Sequence, residues 1–592
     1  MYLKCSTRRK DGKDHRTWSI VESCRIGKKS VQRHVLYLGE INDSQRLSWQ
    51  KSIEVFEEGQ TRPVQMAIFP EDRRPQESPW RLVQVKLEEM ELHRPRQWGA
   101  CWMGLEFWRL LKLDEFWAQR LPASREGTEW DIVLSALVLY RLIDPGSEWR
   151  LHRHWFDQSA LGDLLNKDRR LVGDDTLYRC LDKLLEHKVD LFRHLKERWE
   201  DLFNSRFDVL LYDLTSTYFE SAPPQQDGLR RYGYSRDKRP DCVQVVIALI
   251  VTPEGFPLGY EVMPGNTADS STLSLMLEKI EEQHGKADHT WLMDRGVPTE
   301  KTLEEMRERG VRYLVGTPKG RLSKLEAALA EKEWQQAREG VDVKLHEVEG
   351  ETYVLARSQK RIFKERGMRR KRLKRLWLRL GELQKQKLTY KNLLMKLGGA
   401  KSKAGRAWHL VTMELPDPPK GVESSKQTVD FTFSLDKERL RQTLRREGRY
   451  LLRTNLSSKD PAELWEHYMT LTQVEEAFRN LKGDLAMRPI HHQKDDRIES
   501  HIFVAFLAYC LHVTLRRKLR DLAPGLTPRA VLEKFARISM IDVHLPTTDG
   551  RKLILSRHTH PDEDCRLLLE RLKMTLPPQP PPRISAHGAI VN

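Results

Sequence analysis

Hydrophobic and polar positions change period several times along the chain, and each change marks an element. FDVLLYDLTSTYFE is an apolar run that meets a carboxylate at Asp213. A polar loop over 221–241 follows, and CVQVVIALIVTPEGFPLGYEVMPGN then reads as two strands joined at Pro253-Glu254-Gly255. STLSLMLEKIEEQHG carries a helical stripe. HTWLMDRGV is another apolar strand, and it meets Asp294. TEKTLEEMRERG has the look of a capping box opening a helix, and VRYLVGTPK is a further strand. The order β-β-β-α-β-α-β predicts a mixed sheet flanked by helices.

Farther on, YMTLTQVEEAFRNLK, from Tyr468 to Lys482, predicts one continuous helix, with no Gly or Pro and many good helix formers. At about 100° per residue, Tyr468, Leu471, Glu475 and Lys482 fall within roughly 60° of one another, with Arg479 beside them. Val474, Ala477, Phe478 and Leu481 form the adjoining apolar stripe. A solvated charged face accounts for this helix taken alone. SHIFVAFLAYCLHVTLRRKL is a second, strongly apolar helix expected to cover the sheet.

The same changes divide the remaining chain. Residues 1–94 are β-rich and a candidate DNA contact, with TWSIVESCRIG and VQRHVLYLGEI flanking a turn at GKK. Residues 95–205 are helical and a candidate DNA-binding subdomain. There WDIVLSALVLYRLIDPG ends at Pro145-Gly146, and 173–203 forms one long helix or two, with Asp174 or Asp175 as N-cap. Residues 206–316 and 446–524 are two parts of one α/β core, the second carrying the Glu475 helix. The intervening 317–445 is an insertion. Between Arg357 and Arg406 it holds nineteen Lys or Arg against two Glu, with leucines spaced for helices. It reads as a basic helical hairpin on a small β-unit. Charge of that density favours a polyanion contact by Arg369, Arg370, Lys371, Arg372, Lys374 and Arg375 over a merely solvated arm. Residues 525–592 are weakly patterned and end in a Pro-rich tail.

Size and charge sharpen the picture. A chain of 592 residues is expected to hold several domains, and a net charge of +17 favours nucleic acid as partner. Seven scattered cysteines, none in a C-x-x-C pair, exclude a zinc ribbon and a disulfide framework and suit a reducing compartment. The N-terminus lacks the apolar run of a secretory signal, and the apolar segments near 243–251 and 502–511 read as too short to span a bilayer. The expectation is a cytoplasmic protein with no membrane partner.

Asp213 and Asp294 each end an apolar strand, where an unpaired buried carboxylate is costly. Two converging carboxylates, with Glu475 as the natural third, point to a site for hard divalent cations. Two ions about 4 Å apart would serve an in-line phosphoryl displacement. Asp213 and Asp294 are 81 residues apart, and Asp294 and Glu475 are 181 apart, the longer gap holding the insertion.

YDLTS at Asp213, MDRG at Asp294 and most of the pattern Tyr-x2-Arg-x3-Glu-x6-Lys resemble the DDE transposases of bacterial insertion sequences, in the insertion-sequence 4 superfamily and its 1634-like group. RYLLRTN, VEEAFRNLKGDLAMRPIHH and HIFVAFLAYCL are similar to that group as well. The resemblance covers nearly the whole chain. It implies a multidomain α/β protein with an RNase H-like core. It makes Asp213, Asp294 and Glu475 a metal-binding catalytic triad for two Mg²⁺ ions, with Mn²⁺ able to substitute. It also implies double-stranded DNA partners (inverted-repeat ends and target), a homodimer in the end-paired complex, and a bacterial, nucleoid-associated setting. Tyr468 and Lys482 would contact DNA near the transposon end. The family arginine falls at Leu471, and Arg479 is the nearest residue on that face to take its place. A non-catalytic DNA-binding descendant and another RNase H-fold nuclease remain as alternative readings.

Overall fold

The computed structural model describes residues 2–10, 13–26, 29–41, 43, 46, 83–224, 228–285, 289–317, 325, 328–329, 332–348, 350–415, 428–456 and 460–585. The chain divides into two compact units. One comprises residues 1–103, 154–166 and 531–592, and the other comprises 104–153 and 167–530.

In the first unit, β1 (Tyr2–Lys10), β2 (Lys13–Ile26) and β3 (Lys29–Gly39) form an antiparallel sheet containing the hairpin that the alternation predicts. Gly27 and Lys28 of its turn, and the stretch 47–82 expected to be strand-rich, lie outside the described residues. β4 (Glu91–Gln97) belongs to a second sheet, taken up below.

The second unit opens with helices. α1 (Trp130–Ile143) is buried along most of its length. The stretch 173–203 is two helices, α2 (Asp174–Leu181) and α3 (Lys188–Phe203). Gly173 takes the cap position of α2, so Asp174 and Asp175 sit in its first turn, where carboxylates complement the helix dipole. The core then follows the expected order: β5 (Val209–Phe219), β6 (Val243–Val251), β7 (Pro257–Pro264), α4 (Thr272–His284), β8 (Thr290–Met293), α5 (Glu300–Glu308) and β9 (Arg312–Gly316).

Three more strands precede the basic region: β10 (Gln335–Arg338), β11 (Val341–Val348) and β12 (Glu351–Ser358). The basic hairpin is α6 (Gln359–Gln384) and α7 (Tyr390–Ala404). Leu376, Leu380, Leu383, Leu393 and Leu397 form its core with Phe431. Short strands brace it, β13 (Leu388–Thr389) pairing with β15 (Thr428–Val429) and β14 (Val411–Glu414) with β16 (Thr432–Leu435). Within GRAWHLVTMELPD, residues 405–410 form a helical turn, so the strand expected there is shorter than the apolar run.

β17 (Arg449–Thr454) returns to the core, and one nine-stranded sheet runs β10-β11-β12-β17-β9-β8-β5-β6-β7. β5, β8 and β9 are mutually parallel neighbours; the other pairings are antiparallel. The small β-unit expected to carry the hairpin is continuous with the core sheet. β12 lies along β17 from Thr352–Thr454 to Arg357–Arg449, so β10–β12 extend the core sheet and cover an edge that β17 would otherwise expose.

The helix expected over 468–482 is two helices, α8 (Pro461–Thr470) and α9 (Thr472–Lys482), meeting at Leu471. The Leu471 N–H reaches only to Tyr468 O at 3.2 Å. The hydroxyls of Thr470 and Thr472 donate to His467 O and Met469 O at 2.6 and 3.0 Å. Threonine back-bonding on both sides of one residue competes with the helical ladder and bends the chain there.

α10 (Asp495–Leu522) packs against α1 and over the sheet. Its Tyr509 Oη donates to Gly255 O at 2.9 Å, and its Thr514 Oγ1 accepts from Trp199 Nε1 at 3.0 Å. The apolar stretch 502–511, expected to be too short for a bilayer, is thus part of a 28-residue helix long and apolar enough to cross one by length and composition. Its most apolar window is 94% buried within the protein.

The first unit closes with β18 (Ser539–Pro546), β19 (Lys552–His558), α11 (Glu563–Leu572) and β20 (Arg583–Ser585), giving a sheet of order β20-β19-β18-β4. Part of the expected tail is therefore a strand. Buried Arg96 fixes the register by a two-pronged pairing with Asp542, both contacts at 3.0 Å.

Candidate active site

β5 and β8 run parallel, with Tyr212 opposite Met293. The next residue on each chain is Asp213 and Asp294. Parallel strands in register present paired side chains on the same face, so the two aspartates emerge side by side at the end of β8. The Asp294 carboxylate turns back on its own chain, Oδ1 accepting from Arg295 N at 2.8 Å.

α9 packs on β5 and β6 through Val474, Ala477, Phe478 and Leu481, the predicted apolar stripe. This leaves Glu475 exposed on the side facing the aspartates. Asp213, Asp294 and Glu475 line one cavity of about 400 Å³, together with Tyr468, Leu471 and Thr317. Gly316 lines the same cavity. A Cβ at this position would lie 3.2 Å from Asp294 Oδ1 and 3.3 Å from Tyr468 Oη. Gly316→Ala is expected to keep the fold and lower any metal-dependent activity of this cavity about tenfold by displacing that carboxylate, measured as single-turnover rate beside a thermal melt.

Burial, then the charges of Asp294 and Glu475, push the Asp213 carboxyl up to about 7, against the Leu214 backbone bond and the positive charge of Arg236. Burial and the charge of Asp294 likewise push the Tyr468 hydroxyl well up. Among the described residues no ion pair neutralises any of the three carboxylates, and the buried Thr317 hydroxyl has no hydrogen-bond partner. The donor set is all oxygen, crowded with negative charge, and fits hard divalent cations. An acid held above its ordinary value binds its proton more tightly folded than unfolded, so its contribution to stability falls as pH rises from about 4 through about 7. In chelator at pH 8, Asp213→Asn is expected to be more stable than wild type by on the order of 1 kcal/mol, the gap closing near pH 4. Melting curves with and without Mg²⁺ check this, since the ion should stabilise the wild type more than the variant.

The remaining predicted residues fall in different places. Tyr468 lines the cavity. Lys482 does not: it sits half-buried in an ion pair with Asp237 at 3.0 Å, which Arg488 shares at 2.9 Å. Burial pushes its ammonium down, with Asp237 opposing. Arg479 is exposed and 4.0 Å from Glu476, outside the cavity lining. Arg370, Lys371, Arg372, Lys374 and Arg375 are exposed along α6, whereas Arg369 is largely buried against Glu447 at 2.6 Å. Sequence reasoning missed Gly316, Arg361, Glu365, Arg449 and Tyr450, which also line the cavity. RYLLRTN contains two of them, but its apolar pattern marks only a strand.

Two other groups bring three potential ligand atoms within 4.8 Å of one another: Glu91, His93 and His544, and Glu148, His492 and His501. In the second, Arg141 lies 3.8 Å from the Glu148 carboxylate and already supplies positive charge. His501 Nδ1 meets that carboxylate at 3.1 Å, and its Nε2 meets Met487 O at 3.1 Å. This is a buried polar knot tying the chain after α9 to α10.

Comparison with known families fits this fold. Residues 205–511, more than half of the chain, match the Transposase DDE domain. The chain therefore belongs to the DDE transposases, a DNA-cleaving and DNA-transferring enzyme family with an RNase H-like fold that uses divalent metal ions. Residues 3–62 match the IS1634 family transposase N-terminal domain, which makes it an IS1634-like transposase. Comparison with curated proteins yields no match.

Proposed function

We propose that this transposase binds the terminal inverted repeats of an insertion sequence, cuts DNA strands at the repeat boundary and joins them to target DNA. The observation that carries the reading is the meeting of three carboxylates from three separate elements, none of them ion-paired among the described residues, in one cavity. Asp213, Asp294 and Glu475 would hold the divalent cations, two Mg²⁺ ions with Mn²⁺ as a substitute. When bound, these would supply Lewis-acid stabilisation of phosphoryl oxygens and a more acidic attacking hydroxyl. The protein's own part is positioning. The parallel register of β5 and β8 fixes two carboxylates, α9 swings in the third, and the Tyr468 hydroxyl borders the space left for the phosphate.

The exposed cations of α6 hold DNA by its phosphates, which sets orientation without reading sequence. Arg479, on the solvent side of α9, adds a contact outside the cavity. Lys482 acts on DNA through Asp237 and the 221–241 loop. Residues 1–94 and 95–205 provide further DNA contact, 317–445 acts as the inserted arm between core segments 206–316 and 446–524, and 525–592 closes the chain. Two copies pair the two ends, in the bacterial cytoplasm on the nucleoid.

The test is strand joining. With Mg²⁺ and a precut, labelled repeat end, the protein is expected to join the end's 3′-hydroxyl covalently to a supercoiled plasmid, converting it to labelled relaxed or linear forms. Hydrolysis of the end without any joined product would instead favour a nuclease.

A further inference from the structure

At the position where the resemblance places an arginine, this chain has Leu471, which lines the cavity with an apolar side chain. Arg479 lies outside that lining. Arg361 does line it, and it comes from the first turn of α6, where the basic hairpin leaves the sheet. Its Nε donates to Glu365 Oε1 at 3.0 Å. Glu365 is fixed in turn, its Oε2 accepting from Gly448 N at 2.8 Å. On the other side, the Arg361 guanidinium lies 5.7 Å from the Tyr450 ring centroid, and the Tyr450 ring lies 6.0 Å from that of Tyr468. Glu365 thus holds the cation at the cavity without its collapsing onto the three carboxylates. Among the described residues no partner engages its two Nη groups, and the side chain is 44% exposed.

Arg361 and Glu365 also line a second cavity, of about 310 Å³. Arg369, Arg372, Arg406 and Arg446 line it as well, against two carboxylates, Glu365 and Glu447. The cavity that holds the three carboxylates and the arginine-rich one therefore meet at Arg361 and Glu365. A nucleic-acid strand needs both: oxygen ligands for cations at the reacting phosphate, and guanidinium forks for the phosphates beside it.

We propose that Arg361 contacts the phosphate next to the reacting one, and that the arginine-lined cavity beyond it receives the following phosphates of the same strand. The assignment rests on the DNA-cleaving function proposed above. It makes Arg361 a substrate-positioning residue supplied by the insertion, so the arm contributes to the reaction centre as well as to DNA affinity.

The experiment uses the full chain with Mg²⁺ and a terminal-repeat duplex carrying one neutral methylphosphonate at successive positions around the cut. The neutral linkage beside the cut is expected to slow wild-type cleavage about 10- to 100-fold. Arg361→Gln should be slowed by a similar factor on the ordinary duplex and lose almost nothing further from that linkage. Arg361→Lys should recover part of the rate. The penalty is a ratio within each variant, so partial loss of folded protein does not move it. An undiminished penalty in Arg361→Gln overturns the assignment while leaving the cleavage function intact. Wild type that binds the repeat but never cuts it, in Mg²⁺ or Mn²⁺, overturns the function and the assignment with it.

Discussion

Asp213→Asn, Asp294→Asn and Glu475→Gln are each expected to lower cleavage of a terminal-repeat duplex about a thousandfold or more while binding it as tightly as wild type. Each amide keeps the shape of the side chain and removes its negative charge. Divalent-cation affinity depends on that charge, because hard ions select anionic oxygen ligands. On the function proposed above DNA affinity should not depend on it: cations elsewhere would hold the duplex, and one fewer carboxylate near the phosphates costs no attraction. The three variants should therefore separate binding from cutting in gel-shift and single-turnover assays run side by side. A variant that cuts normally in Mg²⁺ removes its residue from the site.

The second large effect concerns the basic arm. Replacing Arg370, Lys371, Lys374 and Arg375 together by Ala is expected to weaken DNA binding by about a hundredfold or more at physiological salt. The logarithm of the affinity should also fall less steeply with the logarithm of salt concentration, the slope changing by roughly 0.9 for each phosphate left without its cation. These side chains are exposed on α6, while the arm's core is formed by Leu376, Leu380 and Leu383 against α7, so the hairpin should stay folded. Cleavage per bound complex should change little. Arg369 behaves differently, because its partner Glu447 is buried. Removing Arg369 leaves the buried carboxylate with only the more exposed Arg366, at 3.3 Å, and the expected loss is in melting temperature ahead of DNA affinity. Affinity titrations at several salt concentrations distinguish the two cases.

Much of the core was legible because its signals are local. An apolar run that meets an aspartate needs no distant partner to be recognised; β8 does stop just before Asp294, but β5 runs on past Asp213 to Phe219, so Asp213 lies within its strand and not at the end expected for it. Their parallel register then places Asp213 beside Asp294. The stripe of Val474, Ala477, Phe478 and Leu481 likewise fixed which face of α9 is buried and hence where Glu475 points. What was not legible depends on partners far along the chain. Lys482 looked like a free cation on the Glu475 face until Asp237, 245 residues away, closed on it. Nothing in VKLHEVEGETYVLARS announces that β12 will pair with β17, since strand periodicity specifies a face and not a neighbour. The break at Leu471 came from threonine hydroxyls competing for backbone carbonyls, a side-chain effect that helix propensity does not register. Arg361 was hidden among nineteen cations because charge density does not single out the one that Glu365 and Tyr450 hold in place.

The central claim is that divalent cations sit among Asp213, Asp294 and Glu475, and the most direct test locates the ion itself. Fe²⁺ is exchanged for Mg²⁺ in the full-length protein, and hydroxyl radicals generated at the bound ion cut the nearby backbone. The account predicts fragments ending within a few residues of 213, 294 and 475, suppressed by excess Mg²⁺ and absent in Asp213→Asn. Cuts confined to Glu91, His93 and His544, or to Glu148, His492 and His501, with none at the three carboxylates, would contradict it.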